Sequence, residues 1–182
     1  MDPLGFKRQM DPVQYPMFTS TIGNINTYTS YIAMVVGMSA VLFYLERGRV
    51  RKIWYLFSFI ISLFALITGI SDNAYLALLA LLAIFPFYGF KTVKGVRDYC
   101  LMVAVLCSEF WLIDWIIRTW PGSTLEISGL FQVISGFPGL AYIAAGLWIL
   151  CAGLYLTPHR LLPEHFLRGK YGGRRWIWAL VL

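Results

Sequence analysis

The chain has 182 residues, of which 59% are hydrophobic and 13% charged, with a formal net charge of +6. Soluble domains run near 45–50% apolar and about 25% charged, so these figures exclude a surface made for water and point to a membrane protein. The positive balance falls in alternate loops, as a topology signal does, so nucleic acid is not expected as a partner.

The first 26 residues, with Pro3, Pro12 and Pro16, read as an outward-facing irregular segment. They lack the basic start and apolar core of a signal peptide. Within and just beyond them, FTSTIGNINTYTSY (18–31) gathers Gly23, Asn24, Asn26 and six Ser/Thr hydroxyls where the first apolar run begins. One reading is a helix cap and interfacial anchor, with Tyr28 and Tyr31 in the headgroup layer. The other is an outward polar cluster that holds a sugar or phosphate at a helix N-terminus.

Residues 27–156 hold five runs long enough for a bilayer core of about 30 Å: Thr27–Leu45, Ile53–Ile70, Ala74–Phe90, Tyr99–Ile117 and Pro138–Leu156. Each is apolar all round, as lipid-immersed helices are, and no strand-length alternation competes. The fold class expected is all-α, a multi-pass transmembrane bundle.

The loops set the orientation. ERGRVRK (46–52), KTVKGVRD (91–98) and the basic segment within 157–175 hold twelve of the fifteen Lys and Arg; Lys7, Arg8 and Arg118 are the rest. Cytoplasmic loops carry such an excess. The N-terminus, the Ser71-Asp72-Asn73 turn and the loop 121–137 then face outward. WIWALVL (176–182) starts an apolar run too short to cross. It reads either as an interfacial foot on Trp176 and Trp178 or, the favoured reading, as the start of a sixth helix cut short, and both ends read as cuts through a larger membrane protein.

Four places hold polar chemistry. The first is the Asn24/Asn26 stretch. The second is the outward turn, where Asp72 and Asn73 are turn formers and Asp72 can cap the following helix. The third is SEFWLIDWIIRTW (108–120): Glu109 and Asp114 lie within the fourth span, where an ionisable group costs a few kcal/mol and usually faces a bundle interior or wet cavity. Asp114 and Arg118, four apart, can pair on one face, while Glu109 lies about 140° round the helix from Asp114. Arg118 offers a planar fork of donors to a phosphate, or it closes a structural ion pair. The fourth is His159 and His165, which read as headgroup contacts rather than metal ligands. Cys100, Cys107 and Cys151 lie in apolar runs without metal-ligand spacing and read as packing residues.

The outward Gly23-Asn24-Ile25-Asn26 leading into a span, then a basic turn, a second span and the tight Ser71-Asp72-Asn73-Ala74 turn into a third, resembles the O-antigen ligase and O-antigen polymerase family. The likeness is best over residues 18–90. It implies a bacterial plasma-membrane glycosyltransferase of the GT-C type. Such an enzyme takes a glycan from an undecaprenyl-diphosphate carrier at the outer face to an acceptor, with no cofactor, metal or nucleotide sugar. It also implies outward arginines on the diphosphate and a histidine base in a large external loop. Family members often carry Arg after the turn serine, where this chain has Asp72, and that loop would fall past Leu182, so the chain is expected to lack the catalytic half, its partner being the remainder of the protein. On the resemblance, Asn24, Asn26, Asp72, Asn73, Asp114 and Arg118 are the candidate substrate-binding residues. The alternative is a small non-enzymatic membrane protein serving as an assembly or scaffold subunit. A third reading, a transporter fragment with Glu109 and Asp114 as an ion relay, ranks last because no span is broken near its middle.

Overall fold

The computed structural model describes residues 25–69, 71–90, 92–120 and 129–156. The segments 1–24, 121–128 and 157–182 lie outside the described residues, and with them the expectations placed on Asn24, His159, His165, the basic stretch 157–175 and the run 176–182.

The described chain is helical throughout its regular structure: α1 (Ile25–Leu45), α2 (Arg49–Thr68), α3 (Asp72–Gly89), α4 (Val93–Thr119), α5 (Leu130–Ser135) and α6 (Leu140–Leu156). Five of these match the five apolar runs. Four of them, α1 to α4, nevertheless begin earlier than the runs, and α6 begins two residues later, because helix and hydrophobicity end for different reasons. Arg49, Arg51 and Lys52 form the first turn of α2, and Lys94, Arg97 and Asp98 lie in the first two turns of α4, where the backbone ladder continues into polar surroundings that a hydropathy reading cuts off. The sixth element, α5, lies within a stretch read as loop.

Three helices, α1, α2 and α4, are long and apolar enough to cross a membrane; α3 and α6 are shorter apolar helices. Large apolar side chains such as Met34, Phe57, Leu79, Tyr142 and Ile149 stand on the outside, which suits a bundle surrounded by lipid.

The helices run up and down, so two ends of the bundle can be told apart. At one end the start of α1 meets the end of α2 and the start of α3. At the other, the end of α1 meets the starts of α2 and α4. Between them lies a core of Val36, Phe43, Phe59, Leu63, Leu66 and Ile67 from α1 and α2, continued by Leu78 and Phe85 of α3 and Met102 and Ile113 of α4. Aromatic rings join the elements: Tyr44 meets Phe85 edge-on at 5.8 Å, and Phe110 of α4 stacks on Phe131 of α5 at 5.7 Å.

Three polar contacts fix register inside this apolar frame. The hydroxyls of Ser39 and Ser58 bond α1 to α2 at 2.9 Å. Trp148 Nε1 on α6 donates to Ser108 Oγ on α4 at 2.9 Å. Tyr99 of α4 donates to the Leu82 carbonyl of α3 at 3.2 Å. That carbonyl lies one helical turn before Pro86, which has no N–H to give it, so α4 supplies the donor that α3 lacks. Where α3 ends and α4 begins the backbones touch: a side chain on Gly95 would collide with the Gly89 carbonyl oxygen, so only glycine permits this approach.

Candidate functional site

The end of the bundle holding the starts of α1 and α3 carries the candidate polar residues that are described. Ser71 is the N-cap position of α3 but makes no capping bond with its side chain. Its hydroxyl instead donates to Asn26 Oδ1 at 3.4 Å. The two short segments that suggested a family, 45 residues apart, are therefore in contact. Thr29, expected among the capping hydroxyls, is buried and back-bonds within α1, donating to the Ile25 carbonyl at 2.9 Å and the Asn26 carbonyl at 3.3 Å. Its methyl fills the space beside Gly69, where an added side chain would crowd it.

Asp72 does not cap α3, because it is the helix's first residue rather than the one before it. Its Oδ1 accepts from the Leu130 N–H at 3.4 Å, at the start of α5, next to Gly129. That glycine has φ of 81°, a left-handed conformation that other residues rarely adopt. So Asp72 ties α3 to α5 across 58 residues. Asn73 is exposed beside it.

Asp114 and Arg118 pair as their spacing requires, Nε to Oδ2 at 2.7 Å. The pair sits on the last two turns of α4, one and two turns beyond Phe110, which packs on Tyr75 of α3 and Phe131 of α5. The Arg118 side chain is 69% exposed, so its remaining donors are open to a ligand. Glu109 is buried, and neither of its carboxylate oxygens has a hydrogen-bond partner among the described residues. It does not pair with Asp114. The candidate residues thus form two bonded groups, Asn26–Ser71 with Asp72–Leu130 nearby, and Asp114–Arg118.

The opposite end holds a constellation that a loop-by-loop reading of the charges did not assemble. Asp98 is fully buried and accepts from Lys52 Nζ at 2.5 Å, with Arg97 Nε 4.0 Å from its other oxygen. Arg97 lies over the Tyr155 ring at 4.1 Å and Lys52 over the Phe43 ring at 4.6 Å. Lys52, Arg97, Phe43 and Tyr155 border a cavity of about 550 Å³ whose basic lining is Arg47, Arg49, Lys52, Lys94 and Arg97. The sequence signal was present: Arg49 with Lys52, and Lys94 with Arg97, are spaced three apart at helix starts and so share a face. A count of loop charges carries the expected orientation but does not bring these side chains round one cavity.

The turn between α1 and α2 is organised by Glu46. Its Oε1 accepts from the Arg47 and Gly48 N–H groups at 2.9 and 2.8 Å, and Arg51 stands 3.4 Å from Oε2. The Gly48 bond above all, with the Arg47 bond and the Arg51 charge, holds this carboxyl below its ordinary 4.5.

The chain matches no family model, no curated protein and no solved structure.

Proposed function

We propose that this chain is part of a bacterial plasma-membrane glycosyltransferase of the O-antigen ligase and polymerase kind. It would cross the bilayer five times, by α1, α2, α3, α4 and α6, with the N-terminus and the Asp72 turn outside. The reaction is displacement at the anomeric carbon of a glycan carried on undecaprenyl diphosphate. The acceptor hydroxyl gives its proton to the base that the resemblance places in the remainder of the protein, its oxygen forms the new bond to that carbon, the bond from carbon to the phosphate oxygen breaks, and the diphosphate leaves with the electron pair. In this chain Arg118 holds the departing diphosphate through its free donors, while Asn26, Asp72 and Asn73 shape the groove for carrier or acceptor. Asp114 keeps the arginine fork aimed.

The observation that carries the reading is the contact between Asn26 and Ser71. The two segments on which the resemblance rests are distant in sequence, and their meeting at one end of the bundle, with α5 bonded to the adjacent Asp72, makes a single polar layer of them. The test is photo-crosslinking of the protein in nanodiscs to a photoreactive undecaprenyl-diphosphate glycan. Arg118→Ala is expected to lower crosslinking about tenfold, the effect of losing one charge-assisted contact of about 1.5 kcal/mol. Equal crosslinking by both proteins would refute the reading.

A second reading, a non-enzymatic assembly or scaffold subunit, is favoured by one feature. The Asp72 and Asp114 carboxylates both bond within the fold, to the Leu130 N–H and Arg118. On that reading Arg118→Ala lowers the thermal midpoint of the protein and leaves crosslinking unchanged.

A further inference from the structure

We propose that the basic cavity between the starts of α2 and α4 binds the phosphate of an anionic phospholipid, with the lipid's hydrocarbon lying against α2. The proposal stands apart from the glycan-transfer reading, since it concerns the other end of the bundle.

The first argument is charge. Five cations border one cavity of about 550 Å³, and Asp98 is the carboxylate that answers them, through Lys52 and Arg97. Among the described residues no carboxylate lies within ion-pair distance of Arg47, Arg49 or Lys94. Glu46, the nearest acid in sequence, is turned to the backbone of its own turn and to Arg51, and Lys94 acts on it only as a more distant charge. Like charges crowded on two helix starts repel one another, and an anion between them relieves that repulsion. Arg97 adds geometry. Its ring contact with Tyr155 fixes the guanidinium plane, and its buried Nε has no hydrogen-bond partner among the described residues. A guanidinium fork beside ammonium groups matches the oxygens of a phosphate.

The second argument is the rest of the wall. The same cavity is bordered by Phe43, Ile53, Leu56, Leu101 and Tyr155. A free phosphate ion would leave this apolar half without a partner. A phospholipid uses both halves, because its phosphate meets the cations at the depth of the headgroups while its first methylenes meet the apolar side. Ile53 is 66% exposed, and Phe57 and Ile61 continue the open apolar face along α2. A chain leaving the cavity therefore has a hydrocarbon-compatible path along the helix. Basic pockets between membrane helices are of the kind that take anionic lipid headgroups, and the volume lies within the range of small-ligand sites.

The experiment is native mass spectrometry of the detergent-purified chain, titrated with phosphatidylglycerol or with phosphatidylcholine. One phosphatidylglycerol is expected to remain bound under conditions that strip phosphatidylcholine. Arg49→Gln and Lys94→Gln should each weaken that retention about fivefold, the usual effect of one basic group at a lipid surface. Arg51→Gln removes the same charge from the neighbouring surface, outside the cavity, and should leave retention within a factor of two. Equal losses in all three variants would overturn the proposal in favour of diffuse attraction. Displacement of the bound lipid by millimolar inorganic phosphate would overturn the lipid assignment and make the site one for the free anion.

Discussion

At the scale of single residues, the strongest commitment is Asp98. A fully buried carboxylate is tolerated only with partners, because leaving one member of a buried pair alone costs about 3–5 kcal/mol. Lys52 and Arg97 are those partners. Asp98→Asn is therefore expected to destabilise the protein by about 3 kcal/mol, seen as a lower thermal midpoint in detergent. The double variant Asp98→Leu/Lys52→Met should recover part of that loss, since it removes the closer pair and keeps the volume, while Arg97 retains its contact with the Tyr155 ring. A single variant as stable as the parent would mean that the pair contributes nothing. Glu46 makes a second commitment, and its sign follows from its partners. Its carboxyl titrates below the ordinary 4.5 in the folded chain, so its contribution is present above that value and disappears as pH falls through the lower folded one. Hydrogen exchange at the Arg47 and Gly48 amides should therefore lose protection on acidification below about pH 4.5. Glu46→Gln should remove that pH dependence. Protection that does not change with pH would show that the carboxylate does not hold the turn.

At the scale of elements, the pair α3–α4 shows what an apolar sequence conceals. Pro86 sits inside α3, and in apolar surroundings the carbonyl it orphans is costly to leave unpaired. The Tyr99 hydroxyl on α4 takes that place. This predicts a coupling. Tyr99→Phe should destabilise the parent by about 1 kcal/mol, and should have little effect in a Pro86→Ala background, where the α3 ladder satisfies Leu82 itself. The measurement is a double-mutant cycle on thermal or denaturant stability, and additive effects would refute the link. The same pair marks the limit of sequence reading. Helix existence was legible in all five long elements, because apolar runs of 17–19 residues leave a membrane chain few alternatives. Helix starts were not, since Arg49 and Val93 begin helices in charged surroundings. The short α5 was invisible because its anchor, Asp72, is 58 residues away. Of the candidate residues, the Asp114–Arg118 pair was legible from spacing alone. The meeting of Asn26 with Ser71 was legible only as a shared side of the bundle, and Asp98 lay unremarked in a loop that the sequence marks by its cations.

At the scale of the whole molecule, the two ends differ in kind, and that difference makes orientation testable. One end gathers Arg47, Arg49, Lys52, Lys94 and Arg97 round a single cavity. The other offers Asn26, Asp72 and the Asp114–Arg118 pair. Trp54 stands exposed near the basic end, and Trp115 and Trp120 stand exposed at the other, as tryptophans at two interfaces would. α4, with 27 residues, is about 40 Å long at 1.5 Å per residue, enough to join the two headgroup layers. Basic clusters are retained on the cytoplasmic side during insertion, so the proposed orientation puts the cavity inside and the Asp72 turn outside. With the native cysteines replaced, a single cysteine at position 73 should react in intact cells with a membrane-impermeant maleimide. A cysteine at position 94 should react only after the cells are opened. The reverse pattern would turn the bundle over. Asn26 and Arg118 would then face the cytoplasm, where a glycan carried on the outer leaflet cannot reach them, and glycan transfer would fall as a reading. The phospholipid site would survive, since its cations and its apolar wall meet the headgroup layer of whichever leaflet they enter.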